Sequence, residues 1–203
     1  MNSVEQSYQL LVESSSDINE HLPTLKRYAE ECDHITEMGV RWVVSTFAFA
    51  VAKPKTFVSI DIIDPRSDFE NWNSVWGSGE RLNNIIKYCA ENNVNYSFLL
   101  SDTTKITIDE TDLLFIDTLH EYNQIKTELK LHGNKAKKYL IFHDTENFKF
   151  RDERTPDVYG LSSKDKLGIW SAIEEFLIEN PHWKIHELFT NCNGLTILKR
   201  VNV

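Results

Sequence analysis

Five short apolar runs, each with an acid at or near its carboxyl end, constrain this chain more than any other feature. They are "ITEMGV" (35–40), "TFVSIDII" (56–63), "NYSFLLS" (95–101), "DLLFID" (112–117) and "KYLIFHD" (138–144). Runs that are apolar on both faces belong to parallel strands covered by helices on either side. Helical periodicity fills the gaps. Leu82, Ile85, Ile86, Cys89 and Ala90 share one face, and Tyr122, Ile125 and Leu129 share another, with Gly133 placed to end that helix. Trp170, Ile173, Phe176 and Leu177 form a third face, stopped by Asn180-Pro181.

A leading helix is expected through Leu22, Leu25, Tyr28, Ala29 and Cys32, with Pro23 in its first turn, where a missing N–H costs little. The tail changes character. "WKIHELFT" and "GLTILKRV" flank "NCNG" and read as a terminal antiparallel hairpin. Strands alternating with helices predict an α/β, doubly wound, Rossmann-like sheet with helices on both faces. Residues 1–33 are expected as an N-terminal helical extension and 34–203 as the main domain.

In such sheets ligands bind beyond the carboxyl ends of the strands. Here those ends carry Glu37 and Gly39, Asp61, Ser101 and Asp102, Asp117, and His143 with Asp144. Asp61 follows Glu37 by 24 residues. In nucleoside-binding folds of this kind an acid there accepts ribose hydroxyls; the plain alternative is a turn aspartate. The first loop, "TEMGVRWVVSTFAF", has one glycine and no GxGxxG, so a dinucleotide is disfavoured. Ser45 and Thr46 suit a smaller zwitterionic group, or simply a strand-to-helix turn.

Composition narrows the field further. A formal net charge of −9 argues against nonspecific nucleic-acid binding. The one basic run, "NKAKK" (134–138), reads as a solvated helix end. Cys32, Cys89 and Cys192 form no CxxC, so neither a disulfide framework nor a zinc site is indicated, as in a reducing cytoplasm. Neither a secretory signal nor an apolar run of membrane-spanning length is read.

Order and spacing of these residues resemble the class I S-adenosylmethionine-dependent methyltransferases over roughly residues 20–200. The similarity is closest to the small metal-dependent O-methyltransferases and the macrolide-sugar and cephalosporin-hydroxylase-like methyltransferases. The family's first motif is Glu-x-Gly-x-x-x-Gly-x-Ser; Glu37, Gly39 and Ser45 match it, while Val43 stands at the second glycine. The resemblance implies a seven-stranded sheet whose last strand is antiparallel and inserted between strands five and six. It implies S-adenosylmethionine, with Asp61 at the ribose, Ser101 and Asp102 at the adenine, and Glu37, Gly39 and Ser45 at the methionine end. In "DTLH", Asp117 corresponds to the family's metal-binding aspartate and His120 to its proposed base. His143 and Asp144 correspond to the acidic or His-Asp pair after strand five, which implies Mg2+ or Mn2+.

The chemistry is consistent with that resemblance. Methyl transfer from a sulfonium is an in-line displacement that needs alignment and a deprotonated nucleophile. Carboxylates at the ends of neighbouring strands, about 4.8 Å apart, can share one hard cation. The plain alternative makes Asp117 and Asp144 helix caps and the two histidines local packing residues. The expected activity is O-methyl transfer to a hydroxyl of a small molecule or sugar, with no nucleic-acid or membrane partner; a homo-oligomer is allowed but not required. The rivals are a catalytically inactive binding or assembly subunit on the same fold, favoured by Val43, and a phospho-acceptor signalling domain. Two long polar-aromatic segments bring Trp72, Trp76 and Tyr159 as a lid or acceptor pocket, or as loop packing. The link Thr104–Thr111 is too short for a full helix and is expected to be largely extended, with at most one helical turn.

Overall fold

The computed structural model describes residues 3–153 and 168–201. Tyr159 therefore lies outside the described residues. The chain divides into two compact units, Met1–Thr103 and Thr104–Val203. Seven strands follow the order β3-β2-β1-β4-β5-β7-β6. The last strand thus lies between β5 and β6, as the resemblance implied.

The first unit holds β1 (His34–Met38), β2 (Thr56–Asp61) and β3 (Asn95–Leu100), paired in parallel. Its helices are α1 (Val4–Glu13), α2 (Leu22–Ala29), α3 (Ser45–Val51), α4 (Trp72–Trp76) and α5 (Ser78–Glu91). Sequence periodicity did not reveal α1, which buries only Val4 and Tyr8. Its start is set by a capping box: Ser3 accepts from the Gln6 N–H, and Gln6 accepts from the Ser3 N–H. Helix α2 begins with Pro23 in its first turn, as expected. The expected face of α5 is rotated. Leu82, Ile85, Tyr88 and Cys89 are buried, whereas Ile86 is 40% exposed.

Strand ends have local causes. β1 stops at Met38 because Gly39 adopts φ 86°. β2 stops at Asp61, whose side chain turns back to accept the Ile63 N–H at 2.9 Å. Residues 101–110 contain no helix, as the short link requires.

The second unit holds β4 (Thr111–Ile116), β5 (Ala136–His143), β6 (Trp183–Phe189) and β7 (Leu195–Arg200), with α6 (Tyr122–His132) and α7 (Gly168–Glu179). β4 and β5 pair in parallel, while β7 runs antiparallel to both β5 and β6. Leu113, Leu114, Phe115, Leu140 and Ile141 are fully buried. The "NKAKK" run does not end a helix. Gly133–Lys135 is a single 3-10 turn, and Ala136 already opens β5. Gly133 ends α6 without a left-handed turn; its φ is −53°. Its need for glycine is one of space, because a Cβ there would meet the Phe176 ring of α7 at 2.7 Å.

Candidate metal centre and cofactor loop

The register of β4 and β5 sets Ile116 opposite Phe142. One residue further on, Asp117 comes beside His143, and Asp144 follows. The chain leaves β5 sharply because Asp144 has φ 60°, a left-handed conformation uncommon for a residue with a Cβ. The turn is closed by the Phe148 N–H on the Asp144 carbonyl at 3.1 Å. Functional sites are where such backbone conformations concentrate.

Side chains converge on this corner. His120 Nε2 lies 2.9 Å from Asp144 Oδ2 and 3.4 Å from Asp117 Oδ1. His143 Nδ1 lies 3.1 Å from Asp144 Oδ2 and 3.3 Å from Asp117 Oδ1. The far nitrogen of His143 donates to the Cys192 carbonyl at 3.2 Å. Ligand atoms of Asp117, His120 and Asp144 all fall within 4.8 Å of one another. Asp144 Oδ1 is buried and has no hydrogen-bond partner among the described residues. A carboxylate oxygen stripped of water and left unpartnered is costly, and a cation is the partner that fits it. The carboxylate-rich donor set suits a hard divalent ion; the imidazoles tilt it towards manganese.

Two structural neighbours of His120 had no signal in the sequence. Phe148 stacks on its ring with centroids 4.7 Å apart and planes 7° from parallel. Glu153 Oε2 accepts from Nδ1 at 3.0 Å, and the Glu153 N–H donates to the His120 carbonyl, also at 3.0 Å. The adjacent Asp152 fixes this segment by accepting the Tyr122 N–H at 2.8 Å and the Gly168 N–H at 3.1 Å.

The cluster's charges are strongly linked. Burial pulls His120 down, but hydrogen bonds to Asp117, Asp144 and Glu153 outweigh it and raise the imidazole well above 6.5. His143 is raised in the same way by Asp117 and Asp144. Burial pushes Asp117 and Asp144 up, yet the two histidines hold both below the usual carboxylate range. The arrangement favours protonated imidazoles at His120 and His143 and ionised carboxylates at Asp117, Asp144 and Glu153, which leaves an excess of negative charge at the corner.

In the first unit, the loop after β1 is tied down by carboxylates. Asp61 Oδ2 accepts the backbone N–H groups of Val40 at 2.7 Å and Arg41 at 3.0 Å. Glu37 is fully buried, and its register partner Ser59 donates to Oε2 at 2.7 Å. Ser45 donates to Glu37 Oε1 at 2.6 Å, and Thr46 reaches Oε2 at 3.0 Å. So Glu37 and Ser45, read from sequence as ligand contacts, bond to each other. Val43 adopts φ 59°, the left-handed form that a glycine would take freely. For a β-branched residue this costs roughly 1–2 kcal/mol. Complete burial of its side chain and a 2.8 Å bond from its N–H to the Val40 carbonyl hold it there.

Ser101 bonds through its N–H to the Asp61 carbonyl at 2.8 Å, and Asp102 follows it, partly exposed. Ile62, next to Asp61, is 44% exposed. Trp42 stacks on Trp76 at 4.4 Å, and the Arg41 guanidinium lies 3.9 Å over the Trp42 ring. The Trp42 indole N–H is buried with no partner among the described residues.

No family model matches the chain, and no curated protein matches it. Solved structures do. A Staphylococcus aureus protein provisionally described as a caffeoyl-CoA O-methyltransferase matches with TM-score 0.62 and 16% identity, over 98% of this chain and 93% of that one. The fold is that of the class I methyltransferases. An O-methyltransferase from Bacillus cereus in complex with SAH matches at TM-score 0.58 and 13% identity, over 98% and 91% of the two chains. The M1A22 tRNA methyltransferase TrmK of B. subtilis matches at 0.50 and 12%, over 90% and 66%. Proteins of this fold thus serve acceptors of different kinds.

Proposed function

We propose that this chain is an S-adenosylmethionine-dependent O-methyltransferase acting on a hydroxyl of a small molecule or sugar, assisted by Mg2+ or Mn2+. The observation that carries the reading is the unpartnered, buried Asp144 Oδ1 beside Asp117 and two imidazoles, at the strand ends of a methyltransferase fold. Asp117 and Asp144 would hold the ion, with His143 as third ligand or supporting partner. The ion, when bound, would lower the pKa of an acceptor hydroxyl and orient it.

His120 is the base in this reading. An imidazolium cannot take a proton, so the role needs the flanking carboxylates to be engaged elsewhere. Its Nε2 already faces Asp117 and Asp144, where an acceptor hydroxyl would be held. On the donor side, Asp61 spends three of a carboxylate's roughly four acceptor sites on backbone N–H groups. Capacity for one ribose hydroxyl is left. Exposed Ile62 offers an apolar surface to the adenine, with Asp102 near its edge, and the Trp42 indole N–H is a spare donor. Gly39 supports the methionine end through the loop's course. Glu37 and Ser45 act there by holding the loop. A charge of −9 favours a small acceptor over a polyanion.

The test is transfer of a labelled methyl group from S-adenosylmethionine to a panel of phenolic, catecholic and sugar hydroxyl compounds. Transfer to at least one should occur, should stop on exhaustive chelation, and should return with Mg2+ or Mn2+. Transfer that survives chelation would remove the metal from the account and leave Asp117 and Asp144 as structural carboxylates.

A further inference from the structure

Resting on the reading of His120 as the base, we propose that Glu153 is the positioning residue that fixes its imidazole. Beyond the Nε2 contacts with Asp117 and Asp144, three contacts hold His120, two on its ring and one on its backbone. Phe148 lies flat against one face, which fixes the plane. Glu153 Oε2 accepts a hydrogen bond from Nδ1 at 3.0 Å, which fixes rotation about the ring axis. The Glu153 N–H also holds the His120 carbonyl at 3.0 Å, so the carboxylate and the imidazole are referenced to the same piece of backbone.

The consequence is chemical as well as geometric. A carboxylate can only accept, so Nδ1 must carry its proton whenever the bond is made. In the neutral ring that leaves the lone pair on Nε2, the nitrogen facing Asp117 and Asp144. Without Glu153, a neutral His120 is free to take the other tautomer, with a proton where the acceptor's proton must arrive. A carboxylate behind a histidine base has this orienting role in hydrolytic triads. Glu153 lies 33 residues from His120 and is carried to it by the turn after β5, with Asp152 pinning that turn to α6 and α7.

The test is nuclear magnetic resonance of 15N-histidine-labelled protein, with the His120 signals assigned by their loss in His120→Gln. Wild type should show a His120 Nδ1–H proton shifted downfield and protected from solvent exchange. Glu153→Ala should lose that signal, with exchange at least tenfold faster, while a thermal melt shows it folded. Glu153→Gln, whose amide oxygen can still accept, should restore the signal. An Nδ1–H that is unprotected in wild type, or equally protected in Glu153→Ala, would overturn the proposal, and so would failure of Glu153→Gln to restore it. Adding Mg2+ separates this from the parent reading. Loss of the Nε2 proton with Nδ1–H retained supports both. An Nε2 proton that Mg2+ does not displace counts against the metal-assisted base alone, because the Nδ1–H signal is read in either charge state.

Discussion

At the scale of single residues, two buried acids do different work. Glu37 gathers the hydroxyls of Ser45, Thr46 and Ser59 and joins the start of α3 to β1 and β2. Glu37→Ala would leave those hydroxyls buried without their acceptor, at about 1 kcal/mol or more each, so we expect a loss of about 3 kcal/mol in urea denaturation. A loss below about 1 kcal/mol would contradict that role. Asp144, in contrast, is held by His120 and His143, and this makes the metal-free protein sensitive to pH. The folded values of both histidines are raised, so their stabilisation is complete below the ordinary 6.5 and is lost as pH rises through the folded values. The aspartate is depressed, so its share is present above 3.8 and is lost as pH falls. With metal chelated, the stability advantage of wild type over His120→Gln should therefore be greatest between about pH 4 and 6.5. It should shrink as pH rises further. A constant difference from pH 5 to 9, measured by thermal melting, would show that His120 is not charged in the folded protein.

At the scale of elements, β1, β2, β4 and β5 were legible because both of their faces are largely buried, so periodicity was not needed to find them, whereas β3, found by the same apolar signal, is largely exposed. The helices were less so. α5 turns Tyr88 inwards and Ile86 out, because the first unit's own helices cover that face and hydropathy alone does not fix the rotation. α1 was invisible to an apolar count and is signalled only by its Ser3–Gln6 cap. In the candidate site, Asp117, His120, His143 and Asp144 were readable because each stands at or just past a strand end. Phe148 and Glu153 were not, since their partnership with His120 exists only once the turn after β5 has formed. Gly133 was read correctly as a helix end but for another reason. Its missing side chain admits Phe176 of α7. Gly133→Ala should cost about 1–3 kcal/mol by overpacking, and Phe176→Leu in the same chain should recover part of it. Additive losses in the double variant, by denaturant titration, would show that the two residues do not share that space.

At the scale of the whole molecule, a fold shared with methyltransferases carries two candidate sites built in contrasting ways. Protein donors fill Glu37 and all but one acceptor site of Asp61, which leaves the loop preorganised. The carboxylates of the β4 and β5 corner face the imidazoles of His120 and His143, and Asp144 Oδ1 has no partner among the described residues. A donor that arrives with its own polar groups needs the first kind of site; a cation needs the second. In the proposed function S-adenosylmethionine is that donor. The most direct test is calorimetric titration of S-adenosylmethionine into wild type and Asp61→Ala, with a melt of each. Saturable one-to-one binding to wild type is expected. Binding should be weaker by about 1.5–3 kcal/mol in the variant, the value of a hydrogen bond to a charged acceptor. No binding to folded wild type, or equal affinity in both proteins, would contradict the proposed function.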